Sequence, residues 1–102
     1  MDSDWEGAIK RGDVQGVREL LDRGTDVDAR DRHGQTALML AAHGGYREIV
    51  ETLIAHGAYL NTTANYGLSA LMLALVAGHA DVGLLLADAE AYLSVGVFSR
   101  CR

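Results

Sequence analysis

Proline is missing from all 102 residues, and cysteine, phenylalanine and tryptophan occur once each. Without proline, no helix can start on a residue whose backbone is pre-set for it. One cysteine, Cys101, excludes an internal disulfide and suits a reducing compartment. Positive charge is scarce: 9 Lys and Arg stand against 14 Asp and Glu, a net charge of −5. That balance excludes a nucleic-acid binder held by overall positive charge. No apolar run is long enough to span a bilayer, since the most apolar window, 68–77, is followed by His79 and Asp81. The opening residues, Met1-Asp2-Ser3-Asp4-Trp5-Glu6, lack the basic start and apolar stretch of a signal peptide. There is no nucleophile elbow and no glycine-rich phosphate loop. Together these absences lead to the expectation of one soluble intracellular domain, cytoplasmic or nuclear, without a cofactor, catalysis, nucleic acid or membrane as its business. A chain this short buries only a modest share of its surface, so its stability is limited.

What the chain does have is a stretch written twice. Residues 34–45 read Gly-Gln-Thr-Ala-Leu-Met-Leu-Ala-Ala-His-Gly-Gly, and residues 67–78 read Gly-Leu-Ser-Ala-Leu-Met-Leu-Ala-Leu-Val-Ala-Gly, an offset of 67 − 34 = 33. Gly12, Gly45 and Gly78 keep that offset, as do Leu20, Leu53 and Leu86, while Asp13, Tyr46 and His79 occupy one equivalent position. A fixed period of this size means stacked supersecondary units, which present a long surface and usually no catalytic cavity. The units run over 1–30, 31–63 and 64–96 as one repeat domain, with a tail at 97–102.

Within the second unit, Thr36 is placed to cap a helix by accepting from an amide of its first turn. Residues 37–43 are apolar nearly all round, as in a buried helix, and Gly44-Gly45 stops them. A second helix over 46–56 puts Ile49, Val50, Leu53 and Ile54 on one face, and Gly57 is suited to the left-handed residue after it. Residues 59–67 are polar and turn-rich, a β-turn or hairpin. The third unit repeats this with Ser69 as the cap. The first has Trp5 in the place of Leu38 and Leu71, a helix to Arg11, another over 14–23, and then Gly24.

Helix, tight turn, helix and hairpin at this period resemble the ankyrin repeat over about residues 5–93. Thr36-Ala37-Leu38-Met39 resembles the family's Thr-Pro-Leu-His signature, and Ser69-Ala70-Leu71-Met72 is a weaker copy. Residues 45–54 with His56-Gly57-Ala58 match the second helix and its terminator. Arg11-Gly12-Asp13, Glu19-Leu20-Leu21, Gly24 and Asp26-Val27-Asp28-Ala29 resemble a first, capping repeat. The resemblance implies an all-α repeat solenoid of helix-turn-helix units joined by β-hairpin turns. It also implies that Met39 and Met72, which replace a histidine that hydrogen-bonds between neighbouring repeats, add flexible apolar packing instead.

The third unit departs from the pattern. Gly83 lies inside its second helix, at a cost of roughly 1 kcal/mol against alanine. Glu90 takes the position of Gly24 and Gly57, where a left-handed backbone disfavours a Cβ. This unit is therefore expected to fray first. No polar capping repeat follows, and residues 94–102 are partly apolar. That leaves three roles open for the tail: folding over the open end, docking on another molecule, or marking a truncated or alternatively spliced chain.

His33, His43, His56 and His79 show no close ligand spacing, so exposed histidines of ordinary repeats are the plainer reading. Ser69 is better used as a helix cap than as a nucleophile. Arg100 and Arg102 beside Cys101 would favour its thiolate, while a terminal cysteine is more simply inert. Trp5, at a core leucine position, is read as packing.

The resemblance implies partner contacts at hairpin tips and along the row of inner helices. Carried over by spacing, these positions are Lys10, Arg11 and Arg23; then Arg32, His33, Gln35, His43, Gly44 and His56; then Asn65, Tyr66, Leu68, Val76, Ala77 and Ala89. None is acidic, so the acids are expected elsewhere, on outer helices and in turns such as Asp28 and Asp31. The face runs from basic to apolar, with Tyr66 as the foremost aromatic contact. The expectation is a non-enzymatic module binding another protein, through a segment anionic at one end and apolar at the other. The alternatives are a self-associating unit, monomer or weak homodimer through the uncapped C-terminal end, or a fragment of a longer array.

Overall fold

The computed structural model describes the backbone of residues 2–100 and the side chains of residues 2–90. Cys101 and the reading attached to it lie outside the described residues. Six helices follow one another: α1 (Ser3–Arg11), α2 (Val14–Asp22), α3 (Ala37–Gly44), α4 (Arg47–Ala55), α5 (Ala70–Val76) and α6 (Ala80–Arg100). They pair into three units. The first helices stack as one layer, α1 on α3 on α5, and the second as another, α2 on α4 on α6. No strand occurs among the described residues. The expected hairpins are closed by isolated antiparallel bridges, Arg30 with Thr36 and Thr63 with Ser69.

Local chemistry sets the boundaries. Asp2, Asp13, Thr36 and Ser69 each accept from an amide of the turn that follows, which satisfies one of the four N–H groups a helix start leaves open. Ala37 to Ala42 are buried apart from the half-buried Leu40, which explains the nearly uniform apolar character of α3. The core runs through the stack from Trp5 and Ile9, through Leu38, Met39, Ile49 and Leu53, to Val82 and Leu86. Trp5 is fully buried as expected from its leucine-like position, but its Nε1–H finds no acceptor.

The position shared by Asp13, Tyr46 and His79 has a function that the sequence did not disclose. The Tyr46 and His79 rings each lie over the glycine of the preceding unit. A Cβ on Gly12 would stand 2.7 Å from the Tyr46 ring, and one on Gly45 would stand 2.7 Å from the His79 ring. Both glycines are left-handed, with φ of 72° and 75°. They are required twice over, by conformation and by the neighbour's ring. The Tyr46 hydroxyl also donates to the Lys10 carbonyl at 3.1 Å.

One expectation is corrected. Glu90 was expected to end its helix in strained left-handed backbone, yet α6 passes through it and continues to Arg100, 21 residues against nine in α2 and in α4. No described non-glycine residue has positive φ. Gly24 and Gly57 can turn the chain at φ of 92° and 80°. A glutamate pays heavily for that conformation and little for another helical turn, so the helix goes on.

Gly83 also gains a reason. It stands 33 residues after Val50, as Leu75 stands 33 after Ala42. Unit 2 has the small residue on its first helix and the larger one on its second, and unit 3 reverses them. A Cβ on Gly83 would lie 2.8 Å from Leu75 Cδ2, so the glycine makes room for the leucine.

Candidate functional site

The first hairpin tip is folded by Asp31. One carboxylate oxygen accepts from the amides of His33 and Gln35, each at 2.9 Å, and the other lies 3.4 Å from Gln35 Nε2. This Asx-type turn lifts Arg32 and His33 to the exposed end of the loop. The second tip has Ala64 where the first has Asp31 and cannot fold itself the same way. It leans on the first instead. Asn65 N–H donates to the His33 carbonyl at 3.0 Å, Asn65 Nδ2 to the Arg32 carbonyl at 3.4 Å, and the Tyr66 hydroxyl to Gln35 Oε1 at 3.1 Å. The two tips therefore form one tied ridge. Partial burial, and then the Asp31 carboxylate, push the Tyr66 phenol above its ordinary 10.0.

Between α1 and the first tip is a small cleft of about 270 Å³, lined by Glu6, Lys10, Asp31, Arg32, His33 and Gln35. Its charge is mixed. Lys10 Nζ lies 2.8 Å from Glu6 Oε1 within it, and outside its lining Arg11 Nη2 lies 3.7 Å from Asp13 Oδ2. The expectation that the acids lie away from this face fails for Glu6 and Asp31, which line the cleft beside the cations. The i, i+4 spacing of Glu6 and Lys10 on one helix was the signal available for the first pair. All these ion-pairing side chains are partly exposed, so each pair is worth little. Arg32 makes no ion pair among the described residues and supplies the positive end of the ridge, with His33 exposed beside it.

The other expected positions fall into rows set by the repeat. Lys10, His43 and Val76 are equivalent and exposed along the inner layer, and Arg11 and Gly44 are exposed one residue further on. Gln35 and Leu68 are half-buried equivalents behind the tips. Arg23 and His56 cap the C-termini of α2 and α4, with His56 Nδ1 2.9 Å from the Thr52 carbonyl. Neither of those two lines the cleft. Toward the third unit the surface turns apolar: Tyr66, Met72, Leu75 and Val76 are all exposed. No helix of the described residues is long and apolar enough to cross a membrane.

A family model described as "Ankyrin repeats (3 copies)" matches residues 6–95. Osteoclast-stimulating factor 1 of Bos taurus is 45% identical over 53 residues, 52% of this chain and 25% of that protein. The zebrafish (Danio rerio) protein of the same name is 36% identical over 55 residues, 54% of this chain and 26% of its own. Ankyrin repeat domain-containing protein 29 of Homo sapiens is 44% identical over 55 residues, 53% of this chain and 18% of its own. The chain thus spans about a quarter, or less, of the length of the curated relatives it matches. Repeats of this kind generally mediate protein–protein interaction, and the family is typically non-enzymatic. With three helix pairs stacked in register, hairpin tips tied one to the next and a family match over 6–95, the chain belongs to the ankyrin-repeat family.

Proposed function

We propose that this chain is a non-enzymatic binding module that holds a segment of another protein along its hairpin ridge and inner-helix row, in the cytoplasm or nucleus. Arg32 and His33 meet an acidic portion of that segment, and Tyr66, Leu68 and Val76 meet an apolar portion. The observation that carries this reading is the tie between the tips. Because Asn65 and Tyr66 are bonded back to the first tip, the ridge loses little conformational freedom when a partner arrives. The test is an affinity pulldown read by mass spectrometry, comparing the wild type with an Arg32→Glu/His33→Glu variant whose circular dichroism is unchanged. The reading expects specific partners that the variant loses and whose retention weakens with salt. A partner set indifferent to both would overturn it.

A second reading has one observation in its favour. The two ends of the stack differ. Asp4 and Glu19 are exposed in unit 1 at positions whose equivalents in unit 2, Ala37 and Thr52, are buried. At the far end Met72 and Leu75 are exposed while their equivalents, Met39 and Ala42, are buried. Head-to-tail stacking of copies would set acids against apolar side chains. Two copies meeting by their apolar ends would form a closed two-fold pair instead. Light scattering over a concentration series separates this weak dimer from a monomeric adaptor.

A further inference from the structure

A larger concavity lies elsewhere on the molecule, and no residue of α3 or α5 is among those lining it. It is an open groove of about 1250 Å³ between the end of α4, the loop after it and α6. Ile54, Leu60 and Leu85 give it an apolar lining, and Glu51, Asp88 and Glu90 bring acids to it. Glu51 is already paired with Arg47 at 3.0 Å. Asp88 and Glu90 have no ion pair among the described residues, so the uncompensated negative charge sits on the α6 side.

The fold accounts for this groove. One unit earlier, the equivalent place is filled by the chain's own extended loop. The Tyr59 amide donates to Asp28 Oδ1 at 2.9 Å, and the alternate residues Ala58 and Leu60 are buried. Leu21, which stands where Ile54 stands in the next unit, is buried, whereas Ile54 is only half-buried. The next step of the repeat would bring another such loop beneath residues 58–61. That step is not taken, because α6 carries straight on through Glu90. Asn61, the equivalent of Asp28, has no side-chain hydrogen bond among the described residues.

We propose that the groove is a second docking site, for an extended segment of another protein that places a small and a leucine-sized side chain two residues apart and carries lysine or arginine beside them. Its backbone N–H donates to Asn61 Oδ1 as Tyr59 N–H does to Asp28. Its alternate apolar side chains lie on Ile54 and Leu85, as Ala58 and Leu60 lie against the preceding unit. Its basic residues face Asp88 and Glu90, which sets its direction. The site is separate from the hairpin ridge. The competing occupant is this chain's own Ala91-Tyr92-Leu93, which repeats Ala58-Tyr59-Leu60 at the 33-residue offset.

The test uses the full chain, labelled with nitrogen-15, and a synthetic peptide Gly-Ala-Tyr-Leu-Asn-Lys-Lys. A control peptide ends in Glu-Glu. The lysine peptide is expected to give saturable shifts of the Ile54, Asn61 and Leu85 amides while those of Arg32 and His33 stay still, so failure here and failure of the ridge reading are distinguishable. The glutamate peptide, and separately an Asp88→Asn/Glu90→Gln variant, are each expected to weaken binding about fivefold, the worth of two exposed charge pairs. Absence of saturable shifts overturns the proposal. So does equal binding of both peptides, or cross-relaxation between the Tyr92 ring and Ile54 or Leu60 in the peptide-free protein, which would place residues 91–93 in the groove.

Discussion

Units 2 and 3 carry nearly the same inner-helix sequence, Ala37-Leu38-Met39-Leu40-Ala41 and Ala70-Leu71-Met72-Leu73-Ala74, yet burial treats them differently. Met39 is 1% exposed and Met72 48%; Ala42 is fully buried while its larger counterpart Leu75 is 57% exposed. The side chains have not changed their preference. Among the described residues, unit 2 has a neighbour on both sides and unit 3 on one. In a stack, hydrophobic stabilisation belongs to the interface between units rather than to the unit. The same motif is thus core in one place and candidate binding surface in the other.

The sharpest way to test that difference is to delete the same leucine twice. Leu38→Ala removes a side chain 1% exposed and is expected to cost about 3–5 kcal/mol, much of what a domain of this size has to lose. Leu71→Ala removes a half-buried one and is expected to cost about 1 kcal/mol. Urea denaturation followed by circular dichroism measures both. Equal losses would mean that the end of unit 3 is covered in solution, by another copy or by residues beyond Glu90. Next comes Met72→Lys, which adds a charge where the side chain already meets water. It should leave the urea midpoint almost unmoved and lower the average mass seen by light scattering if the apolar ends associate. A large fall in stability would show Met72 to be core in solution.

The 33-residue offset made the fold legible because each unit repeats the same local choices: a capping Thr or Ser, an apolar helix, a glycine stop. The apolar pattern predicts the buried Leu38, Ile49, Val50 and Leu53, while Ile54 on the same face is only half-buried. The site was legible less fully. The offset placed Arg32, His33, Asn65 and Tyr66 at the tips, but not the bonds by which Asn65 and Tyr66 hold the first tip, since those depend on how units nest. Glu6 beside Lys10 was overlooked although its spacing announced it. The groove under α6 was illegible for another reason. At Glu90 the repeat predicts a flawed terminator, whereas a glutamate in that place removes the terminator and lets the helix run on.

Gly83 sharpens the comparison from inside unit 3. Its Cβ would come too close only to Leu75 Cδ2, at 2.8 Å, with Leu75 Cγ at 3.5 Å and Leu71 Cδ1 at 3.8 Å in ordinary contact, and Leu75 has solvent to move into. Gly83→Ala should therefore let Leu75 rotate away and keep the helix-propensity gain, raising stability by up to about 1 kcal/mol. A loss in the same urea experiment would mean that Leu75 is held in place, which requires something packed against the open end. Adding Leu75→Ala, which restores the small residue found in unit 2, should then recover the gain.

A modest effect is expected at the tie between units 2 and 3 at their tips. Tyr66 holds its proton more tightly in the folded chain than in the unfolded one, first because it is partly buried and then because Asp31 is near. A raised pKa means that the neutral phenol's contribution to stability is fully present below about pH 10 and is lost as the pH climbs through the higher folded value. Near neutrality Tyr66→Phe should remove only the hydrogen bond to Gln35 Oε1, a modest change at an exposed site. In alkali, the difference between wild-type and Tyr66→Phe tyrosinate absorbance isolates this one ring, and it should rise above the ordinary phenol midpoint. A midpoint at the ordinary value would mean that the second tip does not rest on the first in solution. The ridge would then be two separate loops, and the preorganisation argued for partner binding would be lost with it.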